Sequence, residues 1–360
     1  MATTKKTNSN TGNEKYMAYI GSYTHGKCKG ITVLDVDNEA GRLTKRTEVP
    51  INNASYLAVS NSGKYLYSIC DEGLAAFLIL PNGNINLINQ ESINGMRGCH
   101  ISIDSEDKYL FVSGYHDGKA TVVSLRPDGG IGKVTDEVFD KGLGSVGERN
   151  FRAHVSGATL TPDEKYLMVC DMGIDQIKAY RFDKDKGTIA LVDILRCELE
   201  SAPRTMIFSP DGRFAYVVCE LKNYVSIYSY KDNGHNPEFE LVSRASTVED
   251  RNSNTNASIA IKMTKDGKYL FVTNAGNNSV AFFKRNEKHG TLDRLSVLPI
   301  SGEFPKDFML FPNENKCVSV NHESNQLMFF NLNYEKGLIV MNGHPLDIET
   351  ANCGVFVKIP

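Results

Sequence analysis

Imidazole, guanidinium, ammonium and carboxylate side chains stand at the ends of several short apolar segments of this 360-residue chain. Six of them hold comparable places relative to those segments: His100, His154, Arg204, Glu220, Lys306 and His322. Such a set could move a proton and bind an anion if the fold gathered it in one concave site. Charged side chains at segment ends are usually only exposed to solvent, so the interpretation depends on the elements that position them.

The residues from Ser201 to Tyr230 define those elements. They read as three short strands joined by tight turns, and the first turn is formed by Ser209 to Gly212. Pro210 fixes one backbone angle there, and Gly212 accepts the positive φ that other residues resist. Variants of this turn recur, each followed by a marker residue: Tyr65, Tyr109, Tyr166, Phe214, Tyr269 and Cys317. Their spacing of about fifty residues predicts the blades of a β-propeller.

The two ends of the chain each contain part of a blade. The segment from Ala351 to Ile359 is one strand without a hairpin partner, and the segment that starts at Met17 lacks a first strand. Joining them completes a seventh blade and closes the ring, which removes exposed sheet edges. The sequence therefore predicts an all-β, seven-bladed propeller of four-stranded antiparallel blades at residues 16–360, after a disordered polar tail at residues 1–15.

Composition excludes several classes of partner. The net charge is −3, with 40 basic and 43 acidic residues, so we expect neither a nucleic-acid nor a membrane surface. No apolar run reaches the roughly 18 residues that span a bilayer. Three of the eight cysteines, Cys70, Cys170 and Cys219, fall near the ends of second strands, where a small apolar side chain fits. We expect free thiols and a cytoplasmic protein.

Glycine-rich motifs and carboxylates give no sign of a cofactor. Residues 21–27 nearly match a phosphate-binding loop, but Cys28 replaces the required Ser or Thr and a strand pattern follows. Residues 142–147 match a dinucleotide motif without a surrounding βαβ unit. Glu72, Asp171 and Glu220 are too few carboxylates for a divalent-cation site. We therefore expect no cofactor and no metal.

The geometry of a blade gathers the six polar residues. The start of the first strand and the end of the second lie at the same edge of an antiparallel blade. If the first strands line the central channel, residues at these positions surround its mouth. His100, His154, Arg204 and Lys306 stand at or before first strands, and Glu220 and His322 follow second strands.

At these residues the chain resembles the seven-bladed propeller lactonases. This family includes bacterial 6-phosphogluconolactonases of the cycloisomerase-2 type and fungal carboxymuconate lactonising enzymes. The resemblance covers nearly the whole chain after the tail. Its most specific parts are residues 202–221 (APRTMIFSPDGRFAYVVCEL), 161–177 (TPDEKYLMVCDMGIDQI) and 147–154 (GERNFRAH), with further similarity in YIGSYT and FPKDFMLFP.

The resemblance implies catalytic roles for His154, Arg204 and Glu220, which match the family's motif positions. Other motif positions differ in this sequence. A second histidine falls on Ser156, a third on Thr205, an acidic residue on Ala260 and an arginine on Ala275, and Lys306 replaces an arginine.

Lactone opening needs a base that deprotonates water and a donor that holds the developing oxyanion. His154 or Glu220 could be the base, and Arg204 could hold the oxyanion or a substrate anion. Substrate-binding roles are expected for Arg149, His100, Lys306 and His322, since cations match phosphate and carboxylate groups.

These roles predict a cofactor-independent hydrolase of a sugar lactone, and the resemblance implies 6-phosphogluconolactone as its substrate. Two alternatives remain open at the level of sequence. One is a cycloisomerase that adds a carboxylate across a double bond, and the other is a propeller that binds a small molecule or a protein without catalysis.

Overall fold

The structure, a computed structural model, describes residues 14–145, 147, 150–249 and 255–359. In these ranges the chain forms seven antiparallel sheets arranged as the blades of a propeller, which confirms the predicted fold. Most of the predicted polar tail, residues 1–13, lies outside the described residues. The first strand begins at Lys15, one residue before the predicted domain boundary.

The strands follow one another in chain order from blade to blade. The first four blades contain β1 (Lys15–Ser22), β2 (Gly30–Asp37) and β3 (Arg42–Pro50); β4 (Leu57–Val59), β5 (Tyr65–Cys70), β6 (Gly73–Ile79) and β7 (Ile85–Glu91); β8 (His100–Ile103), β9 (Tyr109–Gly114), β10 (Lys119–Leu125) and β11 (Ile131–Phe139); and β12 (Val155–Leu160), β13 (Tyr166–Asp171), β14 (Gln176–Asp183) and β15 (Thr188–Arg196). The remaining strands are β16 (Pro203–Phe208), β17 (Phe214–Cys219), β18 (Tyr224–Asp232) and β19 (Pro237–Ser246); β20 (Ser258–Met263), β21 (Tyr269–Asn274), β22 (Ser279–Arg285) and β23 (Leu292–Pro299); β24 (Pro305–Leu310), β25 (Lys316–Asn321), β26 (Gln326–Asn333) and β27 (Leu338–Met341); the short β28 (Leu346–Asp347), which pairs with β26; and β29 (Ala351–Ile359).

The predicted markers locate the second strand of each blade. Five markers are the first residues of β5, β9, β13, β17 and β21, and Cys317 is the second residue of β25. The residue two positions before each of these strands has a positive φ: Gly63 (69°), Asp107 (56°), Glu164 (56°), Gly212 (69°), Gly267 (70°) and Glu314 (55°). The turn therefore imposes the same backbone conformation even where glycine is absent.

The ring closes through the two ends of the chain, as the sequence predicts. Strand β29 pairs with β1 in antiparallel register, from Lys15 opposite Ile359 to Ser22 opposite Ala351. Strand β29 is thus the innermost strand of the blade that β1, β2 and β3 complete. It also contacts the innermost strands of both neighbouring blades, β24 and β4, so no innermost strand is left without a neighbour.

Each pair of adjacent blades encloses its own apolar cluster, and there are seven such clusters around the ring. Between two of the blades, for example, the rings of Phe271 and Phe308 stack with centroids 5.1 Å apart. All eight cysteines are free, as expected from their positions. In the described part of the chain there is no helix long and apolar enough to cross a membrane. The clusters fix the blades against one another and so define the channel that the innermost strands line.

Candidate functional site

A cavity of about 310 Å³ opens where the innermost strands begin. Its wall contains residues from all seven blades, so it lies on the axis of the ring. His100, Arg204 and Lys306 line the cavity directly. Three further candidates, His154, Glu220 and His322, each contact a lining residue from behind. The structure therefore brings six of the seven sequence-derived site residues around one cavity.

The position of Arg204 is fixed by Glu220. Arg204 lies on β16, and Glu220 directly follows β17 of the same blade. The guanidinium Nη1 lies 2.5 Å from the carboxylate Oε2, and the glutamate side chain is only 2% exposed. Burial disfavours the charge of Arg204, but Glu220 outweighs this and raises the pKa of the arginine above its ordinary value. The arginine, whose side chain is 31% exposed, thus presents a permanent cation to the cavity.

The neighbouring strand β12 supports the backbone of Arg204. The hydroxyl of Ser156 donates a hydrogen bond to the carbonyl oxygen of Arg204 at 2.9 Å. A Cβ on Gly157 would lie 2.6 Å from that same oxygen, so only glycine permits this approach. Ser156 is the residue that replaces a histidine of the family motif. At this position the serine anchors the strand that carries Arg204.

His154 lies directly behind Tyr115, which lines the cavity. The two rings stack with centroids 4.2 Å apart, and the imidazole Nδ1 lies 2.8 Å from the backbone carbonyl oxygen of Tyr115. A carbonyl can only accept, so in the neutral ring the proton is on Nδ1 and the lone pair is on Nε2. His154 is 3% exposed, and this burial lowers the pKa of its imidazole below the ordinary value. The residue is therefore a neutral base at pH 7, one ring away from the cavity.

His100 begins β8 and lines the cavity with a side chain that is 7% exposed. Burial, with smaller effects of the Lys262 and Arg204 charges, lowers the pKa of His100 to about 4. The ring is thus neutral at pH 7. Its Nδ1 accepts a hydrogen bond from the Ala158 N–H at 3.5 Å, which leaves the proton on Nε2. His100 can therefore donate a hydrogen bond without carrying a charge.

Lys306 approaches the cavity from β24. Its Nζ donates a hydrogen bond to Oδ1 of Asn352 at 2.8 Å and lies 4.8 Å from the centroid of the Tyr23 ring. Burial, together with the charge of Arg204, lowers the pKa of Lys306 to about 8. The ammonium is therefore in an environment that already contains excess positive charge.

Of the last two residues expected to bind substrate, the structure describes His322 but not Arg149. His322 contacts the edge of the Tyr23 ring at 5.7 Å, and its Nδ1 lies 3.1 Å from the carbonyl oxygen of Ala351. It sits behind the cavity wall, where burial and the Lys306 charge lower the pKa of its imidazole. Arg149 lies outside the described residues, so its expected role stays a prediction.

Sequence reasoning missed several charged residues of the cavity wall. Lys262 is the fifth of the six residues of β20, and its Nζ is 3.0 Å from Oδ1 of Asp307. Arg97 precedes β8 and pairs with Asp71 at 2.8 Å. A signal for Lys262 was present, because it is the only charged residue in the segment SIAIKM. The expectation covered only the starts of first strands and the ends of second strands, whereas residues farther along an innermost strand also line the channel.

The carboxylate of Asp307 keeps its partner Lys262 charged. Burial works against the ammonium of Lys262, but the Asp307 carboxylate outweighs it and raises the pKa of the lysine above its ordinary value. Among the described residues, the cavity wall contains four cations: Arg97, Arg204, Lys262 and Lys306. Three of them pair with the carboxylates of Asp71, Glu220 and Asp307, which leaves a surplus of one positive charge. Such a surplus attracts anionic ligands. Within the described ranges, no three His, Cys, Asp or Glu side chains are grouped to hold a metal ion.

Two positions at which this sequence differs from the family motif, Ala275 and Ala260, have different surroundings. Ala275, where the resemblance places an arginine, is 1% exposed and packs with Ala257, Ile259 and Phe304 behind the cavity. Ala260, where it places an acidic residue, lines the cavity. Replacement of an acidic side chain by alanine there makes the wall more positive.

The chain is similar to known lactonases along almost its full length. A family model described as "Lactonase, 7-bladed beta-propeller" matches residues 17–356. A Bacillus subtilis protein named 6-phosphogluconolactonase is 30% identical over 349 residues, which cover 95% of this chain and 99% of that protein. A Formosa agariphila protein of the same name is 31% identical over 333 residues, or 89% and 93% of the two chains.

A solved structure gives the same result for the fold. The crystal structure of a candidate 6-phosphogluconolactonase from Bacteroides fragilis superposes with a TM-score of 0.89 at 27% identity. The match covers 97% of this chain and 99% of that one. With the cavity, the ring closure and the family match together, the chain belongs to the lactonase family of seven-bladed β-propellers.

Proposed function

We propose that this protein hydrolyses a sugar lactone, with 6-phosphogluconolactone as the substrate, by attack of water on the lactone carbonyl in the channel cavity. The observation that carries the proposal is the Arg204–Glu220 ion pair, which holds a guanidinium at the wall of a concave, positively charged site. The names of the relatives from Bacillus subtilis and Formosa agariphila support the same reaction class.

Arg204 has the role of stabilising the oxyanion. One of its N–H groups is directed to Glu220, and the guanidinium makes no other hydrogen bond among the described residues. A guanidinium carries five N–H donors, so several can turn to a carbonyl oxygen in the cavity. As water adds, the carbonyl oxygen becomes an alkoxide, and a fixed cation stabilises that charge more than it stabilises the neutral ester. The arginine thereby lowers the barrier rather than merely binding the substrate.

His154 has the role of accepting a proton from the attacking water. Its lone pair is on Nε2, and its lowered pKa keeps the ring neutral at pH 7. The ring lies behind Tyr115, and a base can act through one bridging water. Glu220 is the alternative base, but its carboxylate is engaged with Arg204, so we assign it the task of orienting the guanidinium.

The remaining cavity residues bind the sugar. The neutral His100, with its proton on Nε2, can donate to a hydroxyl or ring oxygen. The surplus of cations favours a substrate that carries negative charge, which agrees with a phosphorylated lactone. The cavity volume of about 310 Å³ is within the range of small-ligand sites.

Proton release tests this proposal directly. The purified protein is mixed with glucono-δ-lactone, galactono-lactone and 6-phosphogluconolactone at neutral pH, and acid production is followed against the spontaneous rate. We expect a protein-dependent rate that is highest with the phosphorylated lactone. A rate equal to background with every lactone would instead favour a binding or cycloisomerase role.

A further inference from the structure

Two residues at one side of the cavity form an incomplete polar pair. Lys306 lies on β24, and Asn352 is the second residue of the closing strand β29. The ammonium Nζ donates to the amide Oδ1 at 2.8 Å, and both side chains line the cavity. An ammonium group can only donate, so this contact fixes the orientation of the amide. Its Nδ2 is therefore the atom that is left for another partner.

That second amide atom is buried and has no partner. Asn352 is 7% exposed, and Nδ2 makes no hydrogen bond with the described residues. An unpaired buried donor costs free energy, and folded proteins rarely leave one without a reason. A ligand in the cavity that accepts a hydrogen bond would satisfy it.

Lys306 also lacks an ion-pair contact among the described residues, and the carboxylate of Glu323 acts on its charge only from a greater distance. Arg97 is paired with Asp71, Arg204 with Glu220 and Lys262 with Asp307. Lys306 is the one cation of the cavity wall without a carboxylate within 4.0 Å among the described residues, and its partner Asn352 is neutral. The positive charge on this side of the cavity is thus available to a ligand.

The ring of Tyr23 contacts a second cation in addition to Lys306. The lysine Nζ lies 4.8 Å from the ring centroid, and the guanidinium carbon of Arg97 lies 4.9 Å from the same centroid. Both contacts are cation–π interactions, so the Tyr23 ring helps to position both cations. The charge of Arg97 also lowers the pKa of Lys306, although less than burial and the charge of Arg204 do.

We propose that Lys306 Nζ and Asn352 Nδ2 form an anion subsite that binds the phosphate of a phosphorylated lactone and selects it over the uncharged sugar lactone. The inference rests on the proposed function, since it concerns the substrate of the same cavity. The phosphate accepts hydrogen bonds from both groups and supplies the ion-pair contact that Lys306 lacks.

The test compares two charge-altering variants with matched controls. Asn352→Asp replaces the free donor by an acceptor and places a carboxylate beside Lys306, whereas Lys306→Gln removes the cation. Lys306→Arg keeps the charge, and Lys336→Gln removes a charge from an exposed position between β26 and β27. Thermal unfolding of each variant establishes that it is folded.

The measured quantity is the ratio of kcat/KM for 6-phosphogluconolactone to that for glucono-δ-lactone. We expect this ratio to fall at least about tenfold in Asn352→Asp and in Lys306→Gln, the loss typical of a charge-assisted hydrogen bond. We expect Lys306→Arg to retain most of the ratio and Lys336→Gln to leave it unchanged. Equal ratios in the wild type, Asn352→Asp and Lys306→Gln would overturn the subsite.

Binding of the reaction products separates this inference from the proposed function. Calorimetric titration of the wild type with 6-phosphogluconate, gluconate and glucarate needs no catalysis. We expect 6-phosphogluconate to bind most tightly and to lose at least about tenfold in affinity in Asn352→Asp. If no lactone is hydrolysed but this pattern holds, the proposed function fails and the subsite stands. Equal affinity for gluconate and 6-phosphogluconate, or a preference for the dicarboxylate glucarate, would refute the phosphate subsite whatever the catalytic result.

Discussion

The guanidinium of Arg204 and the carboxylate of Glu220 are 2.5 Å apart, although one faces the cavity and the other is almost fully buried beneath it. The two residues belong to adjacent strands of one blade, where Arg204 lies near the start of β16 and Glu220 follows the end of β17. The blade geometry thus supplies a cation together with the buried anion that orients it.

Removal of the Glu220 carboxylate should leave the guanidinium of Arg204 less well oriented. Glu220→Gln keeps the size of the side chain but loses the ion pair, so Arg204 is less well oriented toward the carbonyl oxygen. We expect kcat/KM for 6-phosphogluconolactone to fall by about tenfold to a hundredfold, mainly through kcat. Glu335→Gln, at an exposed glutamate in the turn between β26 and β27, is the matched control. A rate for Glu220→Gln equal to that of this control would remove Glu220 from the mechanism.

His154 is expected to set the acid limb of the pH profile. A base acts only when it is unprotonated, and burial lowers the pKa of His154 below the ordinary histidine value. The acid limb of kcat/KM for the wild type should therefore lie below the ordinary histidine pKa of about 6.5. In His154→Gln we expect a loss of at least about tenfold at pH 7 and no histidine limb. A variant that retains the same acid limb would transfer the role of base to Glu220.

The buried His100 should make the fold sensitive to acid. Its pKa is about 4 in the folded protein and about 6.5 when unfolded. Between these values the unfolded chain binds the extra proton, so stability that is present above pH 6.5 is lost as the pH falls toward 4. The loss that this residue contributes is at most about 3 kcal/mol.

Denaturant unfolding at pH 7 and pH 4.5 measures that contribution. We expect His100→Asn to lose less free energy of unfolding between the two values than the wild type does. His289→Asn, at an exposed turn, should behave as the wild type. The same acid loss in His100→Asn and the wild type would show that the ring is not a buried neutral group.

Affinity for an anionic product should depend on the charge of Lys306. Its pKa is about 8, while the pKa of His100 is about 4 and that of Cys353 is about 12, so among these three groups only the lysine titrates between pH 7 and 9. The protonated form prevails below pH 8 and the neutral amine above it. We therefore expect 6-phosphogluconate to bind about tenfold more weakly at pH 9 than at pH 7.

The Lys306→Arg variant provides the comparison for that titration. Arginine stays charged throughout the range, so its affinity should change little with pH. Calorimetric dissociation constants at the two pH values measure both proteins. An identical pH dependence in the two would assign the effect to another group.

The fold was predictable because its information is local and repeated. A turn with a required positive φ and a following aromatic residue marks the second strand of a blade, and the strands begin at Tyr65, Tyr109, Tyr166 and Phe214 as expected. Ring closure followed from two half-blades at the ends of the chain. Where glycine is missing from the turn, as at Glu164, the surrounding repeat still identified it.

The site was only partly predictable because its residues converge from all seven blades. Arg204, Glu220 and Lys306 could be selected from the sequence because they lie at strand ends. The repeat predicts where those ends lie in every blade. Asn352 gave no signal, because its importance arises from a contact between β29 and β24 that no repeat encodes. The separation of Lys306 from any carboxylate is likewise a property of three-dimensional packing and not of the local sequence.

The most direct test of the account is the kcat/KM of folded Arg204→Ala with 6-phosphogluconolactone, measured by proton release beside the wild type. In the proposed mechanism Arg204 stabilises the oxyanion, so we predict that the wild type accelerates hydrolysis and that the variant loses at least about tenfold to a hundredfold. A variant as active as the wild type would contradict the central claim that this guanidinium stabilises the opening of the lactone ring.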